Sequence, residues 1–140
     1  MAIRKAKAQW NGTLKEGKGT MNFSNYNGPF TFVSRFEEGE GTNPEELVGA
    51  AQAGCYSMFL SALISGEKLS PESIETTATV TLGSDDTGPL ITSIELDCQV
   101  RCEGLSQEKF DELAAASKEK CPISRLYAGS TEIKLNAKLL

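Results

Sequence analysis

Two cysteines, Cys55 and Cys121, stand where a sulfur could react, and the chain has no histidine to serve either of them. A Cys–His dyad or a Ser–His–Asp triad needs an imidazole. A nucleophilic thiol here must instead be held as thiolate by an arginine, a lysine or a helix N-terminus. That requirement points away from acyl transfer and towards redox chemistry. Cys55 lies in the small-residue run Ala50-Ala51-Gln52-Ala53-Gly54-Cys55-Tyr56-Ser57-Met58, and Cys121 closes a helical pattern just before Pro122. Small residues let another backbone approach closely, so two helices packed through these faces could bring the two sulfurs together. The plainer reading makes both of them core cysteines, and the pattern alone leaves both readings open. Cys98 and Cys102 fall on the apolar side of an alternating strand, where cysteine packs as a small hydrophobe. Four residues of strand also set them about 13 Å apart, too far for a mutual disulfide.

Few groups are available to assist a thiol. Arg35 carries a charge it cannot lose, and Glu45 or Glu46 could hold its guanidinium in a bidentate pair. Alternatively, the two glutamates merely complement a helix dipole. Glu45 and Cys55 are ten residues apart, which in one straight helix is about 15 Å of rise. Direct cooperation therefore needs a helix break, with Gly54 the obvious place, or an intermediary such as Arg35. A break would also put Cys55 at a fresh helix N-terminus, where a thiol pKa falls.

The elements that must position these groups can be read from periodicity. Residues 3–10 predict a strand ending at the turn signal Asn11-Gly12. A second strand is expected over 18–24, then a turn from Asn25 to Pro29. Phe30, Phe32 and Phe36 alternate with Thr31, Val33 and Arg35, which predicts a third strand. Asn43 suits an N-cap, Pro44 the first helical position and Glu46 a capping box. The helix that follows is apolar on nearly all sides from Leu47 to Ile64, so it is expected to be buried all round, partly by a partner chain. Strands are expected at 73–82 and around Ile94–Cys102, joined through a hairpin loop at 83–89. Phe110, Leu113, Ala114, Ser117 and Cys121 mark one face of a second helix, and a last strand spans 130–139. The result is an α+β fold, mostly antiparallel, in the order β-β-β-α-β-β-α-β around a central helix.

At 140 residues one domain over 1–140 is expected, large enough for a core without disulfides. The net charge of -5 argues against nucleic acid as partner. Arg4, Lys5, Lys7, Lys15 and Lys18 cluster early, as a solvated strand surface would. No apolar run approaches about 18 residues, so no membrane-spanning segment is expected. Met1–Lys7 lacks the apolar core of a signal peptide, and the four cysteines suggest a reducing compartment, hence a cytoplasmic protein. No C-x-x-C occurs, which weakens a zinc-thiolate reading.

Ala8-Gln9-Trp10 with Gly12, Gly17-Lys18-Gly19-Thr20, Arg35-Phe36-Glu37, Gly41-Thr42-Asn43-Pro44-Glu45-Glu46-Leu47-Val48-Gly49-Ala50-Ala51, Ser73-Ile74-Glu75-Thr76-Thr77-Ala78 and Cys121-Pro122-Ile123-Ser124 occur in that order. With Cys55 ten residues after Glu45, this set resembles the OsmC/Ohr family of organic hydroperoxide reductases, most closely its OsmC branch. The resemblance implies an intertwined homodimer with two active sites at the subunit interface. It implies that Cys55 is the peroxidatic cysteine and Cys121 the resolving one. Arg35 would stabilise the thiolate and Glu45 orient Arg35. It further implies an organic hydroperoxide as substrate, no metal or other cofactor, and a dithiol reductant, a lipoyl-bearing protein. The competing reading is a non-catalytic stress-response dimer that binds a hydrophobic ligand in its interface cleft.

Overall fold

The computed structural model describes residues 1–140, and the chain packs as two compact units, Met1–Leu47 and Val48–Leu140. The first unit holds an antiparallel sheet in the order β1 (Lys7–Asn11), β2 (Lys18–Phe23), β3 (Tyr26–Thr31). Its register sets Trp10 opposite Gly19 and Gly19 opposite Phe30. The glycine is needed there, because a Cβ would come within 2.6 Å of the Phe30 ring and 2.7 Å of the Trp10 ring.

β1 begins at Lys7, not at residue 3, and two further expectations fail around β3. Asn25 to Pro29 is not a turn. The reversal is tighter, at Ser24-Asn25 with Ser24 at φ 50, and Tyr26 to Pro29 already belong to β3. Pro29 is tolerated because β3 is an edge strand. The alternating segment after Phe30 is not a strand either but a short helix, α1 (Phe32–Phe36). Thr31 caps it by accepting the Ser34 N–H at 3.1 Å, while Ser34 Oγ accepts the Thr31 N–H at 2.8 Å. This reciprocal box satisfies two backbone donors locally, and the hydrophobic alternation does not outweigh it. Arg35 therefore sits in a helix, not on a strand face.

Helix α2 (Pro44–Gly66) begins in the first unit and becomes the central helix of the second. Asn43 Oδ1 accepts the Glu46 N–H at 2.8 Å, as its N-cap position predicts. Glu46, however, turns to the Thr42 hydroxyl, also at 2.8 Å, and does not close a capping box. The helix runs unbroken through Gly54, so Cys55 does not start a new one. Within this chain it is buried along one row only, Gly49, Gln52, Tyr56, Leu60 and Ile64. Ala50, Ala51, Gly54, Met58 and Ala62 form an exposed stripe, with Met58 79% exposed. By length and composition alone α2 could cross a membrane, contrary to the expectation that no segment reaches that length. Glycine, serine and glutamine interrupt its apolar run without making it polar overall. The core helix of a soluble protein passes the same test, and the buried row of α2 packs inside this chain.

The second unit is built on the sheet β4 (Ser73–Asp85), β5 (Gly88–Arg101), β6 (Glu132–Leu139), with β5 central. β4 runs antiparallel and β6 parallel to β5. The hairpin between β4 and β5 is shorter than expected, because Asp85 Oδ1 accepts the N–H groups of Thr87 and Gly88 and closes it at once. Ile94, Leu96, Cys98 and Val100 face the core as their alternation predicts. They join Tyr56, Leu60 and Ile64 of α2 with Phe110, Leu113 and Ala114 of α3 (Gln107–Lys120). A parallel β5–β6 pair needs a crossover. α3 and a further short helix, α4 (Pro122–Tyr127), supply it. Pro122 does not end helical structure here. It starts a new helix at a first position that needs no N–H.

Candidate active site

The structure groups the predicted residues two and two. In the first unit, Arg35 Nη2 lies 2.7 Å from Glu45 Oε1, and Arg35 Nε is 3.2 Å from both carboxylate oxygens. This is the two-pronged pairing that a planar guanidinium favours. Glu45 is the more enclosed partner, its side chain 13% exposed against 35% for Arg35. The pair borders an apolar cavity of about 240 Å³ lined by Trp10, Leu14, Phe30, Phe32 and Phe36. The Arg35 guanidinium lies 5.1 Å from the centre of the Phe36 ring, within the range of a cation–π contact.

In the second unit, Cys55 and Cys121 meet with their sulfurs 2.9 Å apart, both as free thiols. Cys55 is half-buried on α2. Cys121 is fully buried between α3 and α4, where its N–H bonds the Ser117 carbonyl and its sulfur accepts the Ser124 N–H at 3.5 Å. One residue thus ends α3 and caps α4. Ser117 Oγ donates to the Tyr56 carbonyl at 3.1 Å, which ties α3 to α2 beside the pair.

The two thiols are not equivalent. Burial pushes Cys55 up, and its bond to Cys121 adds to the rise. Burial also pushes on Cys121, but the Cys55 thiol and the Ser124 N–H and hydroxyl outweigh it and bring Cys121 below the ordinary thiol value. Within one chain the surroundings therefore favour the thiol at Cys55 and the thiolate at Cys121.

Cys98 is buried in β5 as expected, and burial raises its pKa. Cys102 lies just past the end of β5, half-exposed, not in the strand. No group of three or more cysteine, aspartate or glutamate side chains is placed to hold a metal.

Two residues beside the sulfurs escaped the sequence reading. Gln52 is fully buried, and its Nε2 donates to Ser124 Oγ at 2.7 Å. Its Oε1 has no donor, a deficit of about 1–3 kcal/mol for a buried carbonyl. The signal was present: a long polar side chain one turn before Cys55 in an otherwise apolar helix.

A family model described as OsmC-like protein matches residues 37–136. The chain belongs to the OsmC family. Among OsmC-family relatives, it is 40% identical over 139 residues to Peroxiredoxin OsmC of Escherichia coli, covering 97% of this chain and 96% of that protein. It is 30% identical over 98 residues to Organic hydroperoxide resistance protein-like 2 of Staphylococcus epidermidis, covering 70% and 68% of the two chains. The fold is shared with the organic hydroperoxide resistance protein OhrB of Bacillus subtilis, with a TM-score of 0.73 and 26% identity over 98% of this chain and 100% of that one. An OsmC-like protein from Mycoplasma pneumoniae superposes with a TM-score of 0.79 over 99% and 98% of the two chains, at 14% identity.

Proposed function

We propose that this chain is a thiol-dependent peroxidase that reduces organic hydroperoxides to alcohols in oxidative or osmotic stress defence. The names of its relatives, a peroxiredoxin and organic hydroperoxide resistance proteins, support a peroxidase role. The observation that carries the mechanism is the contact of two free thiols at 2.9 Å in a chain without histidine.

In the first step the Cys55 thiolate attacks the terminal oxygen of R–O–OH. The O–O bond breaks, the alkoxide takes a proton from water, and Cys55 becomes sulfenic acid. The Cys121 thiolate then attacks that sulfur, forming the disulfide and releasing hydroxide, which is protonated to water. A dithiol reduces the disulfide by exchange, and a lipoyl-bearing protein is the proposed donor.

Cys55 needs a cation to hold its charge, since its own surroundings favour the thiol. Arg35 is the proposed cation, held by Glu45, and it also neutralises charge as the O–O bond opens. The aromatic cavity beside Arg35 suits an alkyl or aryl tail. A homodimer is part of the same proposal: a second copy would cover the exposed Ala50–Ala62 stripe of α2 and complete the pocket, the two units of each chain acting as a single domain in a reducing cytoplasm.

The test is a thiol count before and after one equivalent of cumene hydroperoxide, with peptide mapping. Loss of two thiols, mapped to Cys55 and Cys121 and restored by dihydrolipoamide, is the expected result. Intact thiols with the peroxide unconsumed would overturn the proposal and leave a dimer that binds a hydrophobic ligand.

A further inference from the structure

The peroxidase chemistry gives Gln52 no task, yet the chain buries it completely and leaves half of its amide unsatisfied. A methionine would fill similar volume without that cost. Its other half has a specific partner, because Nε2 donates to Ser124 Oγ at 2.7 Å. Ser124 is itself 3% exposed and is the third residue of α4. The Ser124 N–H in turn reaches Cys121 Sγ at 3.5 Å, so the residue that Gln52 anchors is the one whose amide bonds the buried sulfur. Ser124 and Cys55 both favour negative charge on Cys121.

We propose that Gln52 and Ser124 form a two-link donor chain ending on Cys121 Sγ, and that this chain sets how fast Cys121 closes on oxidised Cys55. The inference rests on the peroxidase reading above. Ser124 touches the reacting sulfur. Gln52 acts through Ser124 and is a positioning residue.

Two fates compete for Cys55 sulfenate. A lone pair on the Cys121 thiolate can displace hydroxide and form the disulfide. Otherwise a second hydroperoxide transfers an oxygen atom, leaving sulfinate and the alcohol. Only the charged form of Cys121 attacks effectively, so the donor chain protects Cys55 by favouring the first fate.

The experiment oxidises wild type, Gln52→Met, Ser124→Ala and the double variant with graded cumene hydroperoxide. Mass spectrometry then gives the ratio of Cys55 sulfinate to Cys55–Cys121 disulfide across pH. The ratio is expected to rise about fivefold in each single variant, as loss of the neutral hydrogen bond that anchors Ser124 implies. The double variant is expected to be no worse than either single one, because the two links act in series. Gln52→Met is expected to melt within a few degrees of wild type, since it loses an orphan acceptor along with its hydrogen bond.

A Gln52→Met protein with a lowered melting temperature and an unchanged ratio would overturn the inference, as would additive effects of the two substitutions. If Gln52→Met does not fold, Ser124→Ala alone decides on the same ratio. Wild type that forms neither sulfinate nor disulfide would sink the peroxidase reading and the inference with it. Wild type that forms the disulfide while the variants keep its partition would sink the inference alone.

Discussion

Two sulfurs 2.9 Å apart titrate as a coupled pair. In one chain the surroundings favour the thiolate more at Cys121, the sulfur proposed to act second, than at Cys55. The peroxidatic role proposed for Cys55 therefore calls for a cation, and Arg35, which Glu45 holds at 2.7 Å, is the one proposed. Cys55→Ser is expected to reduce peroxide turnover to background while the thermal melt stays cooperative; near-wild-type turnover would remove Cys55 as nucleophile. Cys121→Ser is expected to pass the first oxidation and then accumulate sulfinic or sulfonic acid at Cys55 under excess peroxide. A Cys55–Cys98 disulfide in that variant would refute the resolving role. At this scale the residues singled out Cys55 and Cys121 but left a packing role open for both, and only the family resemblance gave them an order. What separates the two thiols is Ser124, whose N–H reaches Cys121 and whose placement needs the turn at Pro122.

The elements that carry the site show where local chemistry overrides pattern. The alternation from Phe30 to Phe36 describes a strand, yet the Thr31–Ser34 box makes it a helix, because two satisfied backbone donors are available within four residues. Thr31→Ala removes the cap. It is expected to cost about 0.5–2 kcal/mol and to loosen the hold of α1 on Arg35. Denaturant melts would measure the first effect, and a weaker turnover per folded molecule the second. Unchanged stability would mean the cap is not what holds α1. α3, β5 and β6 were legible from a regular apolar period, α2 from its Asn43-Pro44 start and β2 from the turn signals before and after it. α4 was not, since six residues are too few to show a period and Pro122 reads as a stop. The parallel pairing of β6 was also out of reach, because strand direction depends on the crossover and not on the strand's own residues.

Across the whole molecule, the exposed apolar stripe of α2 is the feature a single chain does not explain. If the proposed second copy seats on it, Met58→Glu in its middle is expected to shift sedimentation from dimer towards monomer and to lower turnover with it. A variant that sediments as wild type would put the partner elsewhere. Stability is also expected to fall on the alkaline side. Burial raises the Cys98 pKa above its ordinary 9.0, so from that pH upward the unfolded chain releases a proton that the native state keeps. The unfolded state then binds fewer protons, and unfolding free energy declines as pH rises. Tyr56 is shifted the same way by burial and adds to the decline. Cys98→Ala is expected to flatten that limb in urea melts taken between neutral and strongly alkaline pH; an unchanged slope would rule Cys98 out. A last consequence follows from Cys121 standing at the end of α3 and the start of α4. In the proposed disulfide with Cys55 its sulfur would have no negative charge to offer the amides of the next turn. The backbone from Ile123 to Tyr127 is then expected to exchange deuterium faster in the oxidised protein than in the reduced one. A reductant that senses such slackening could tell a spent molecule from a ready one before touching its disulfide.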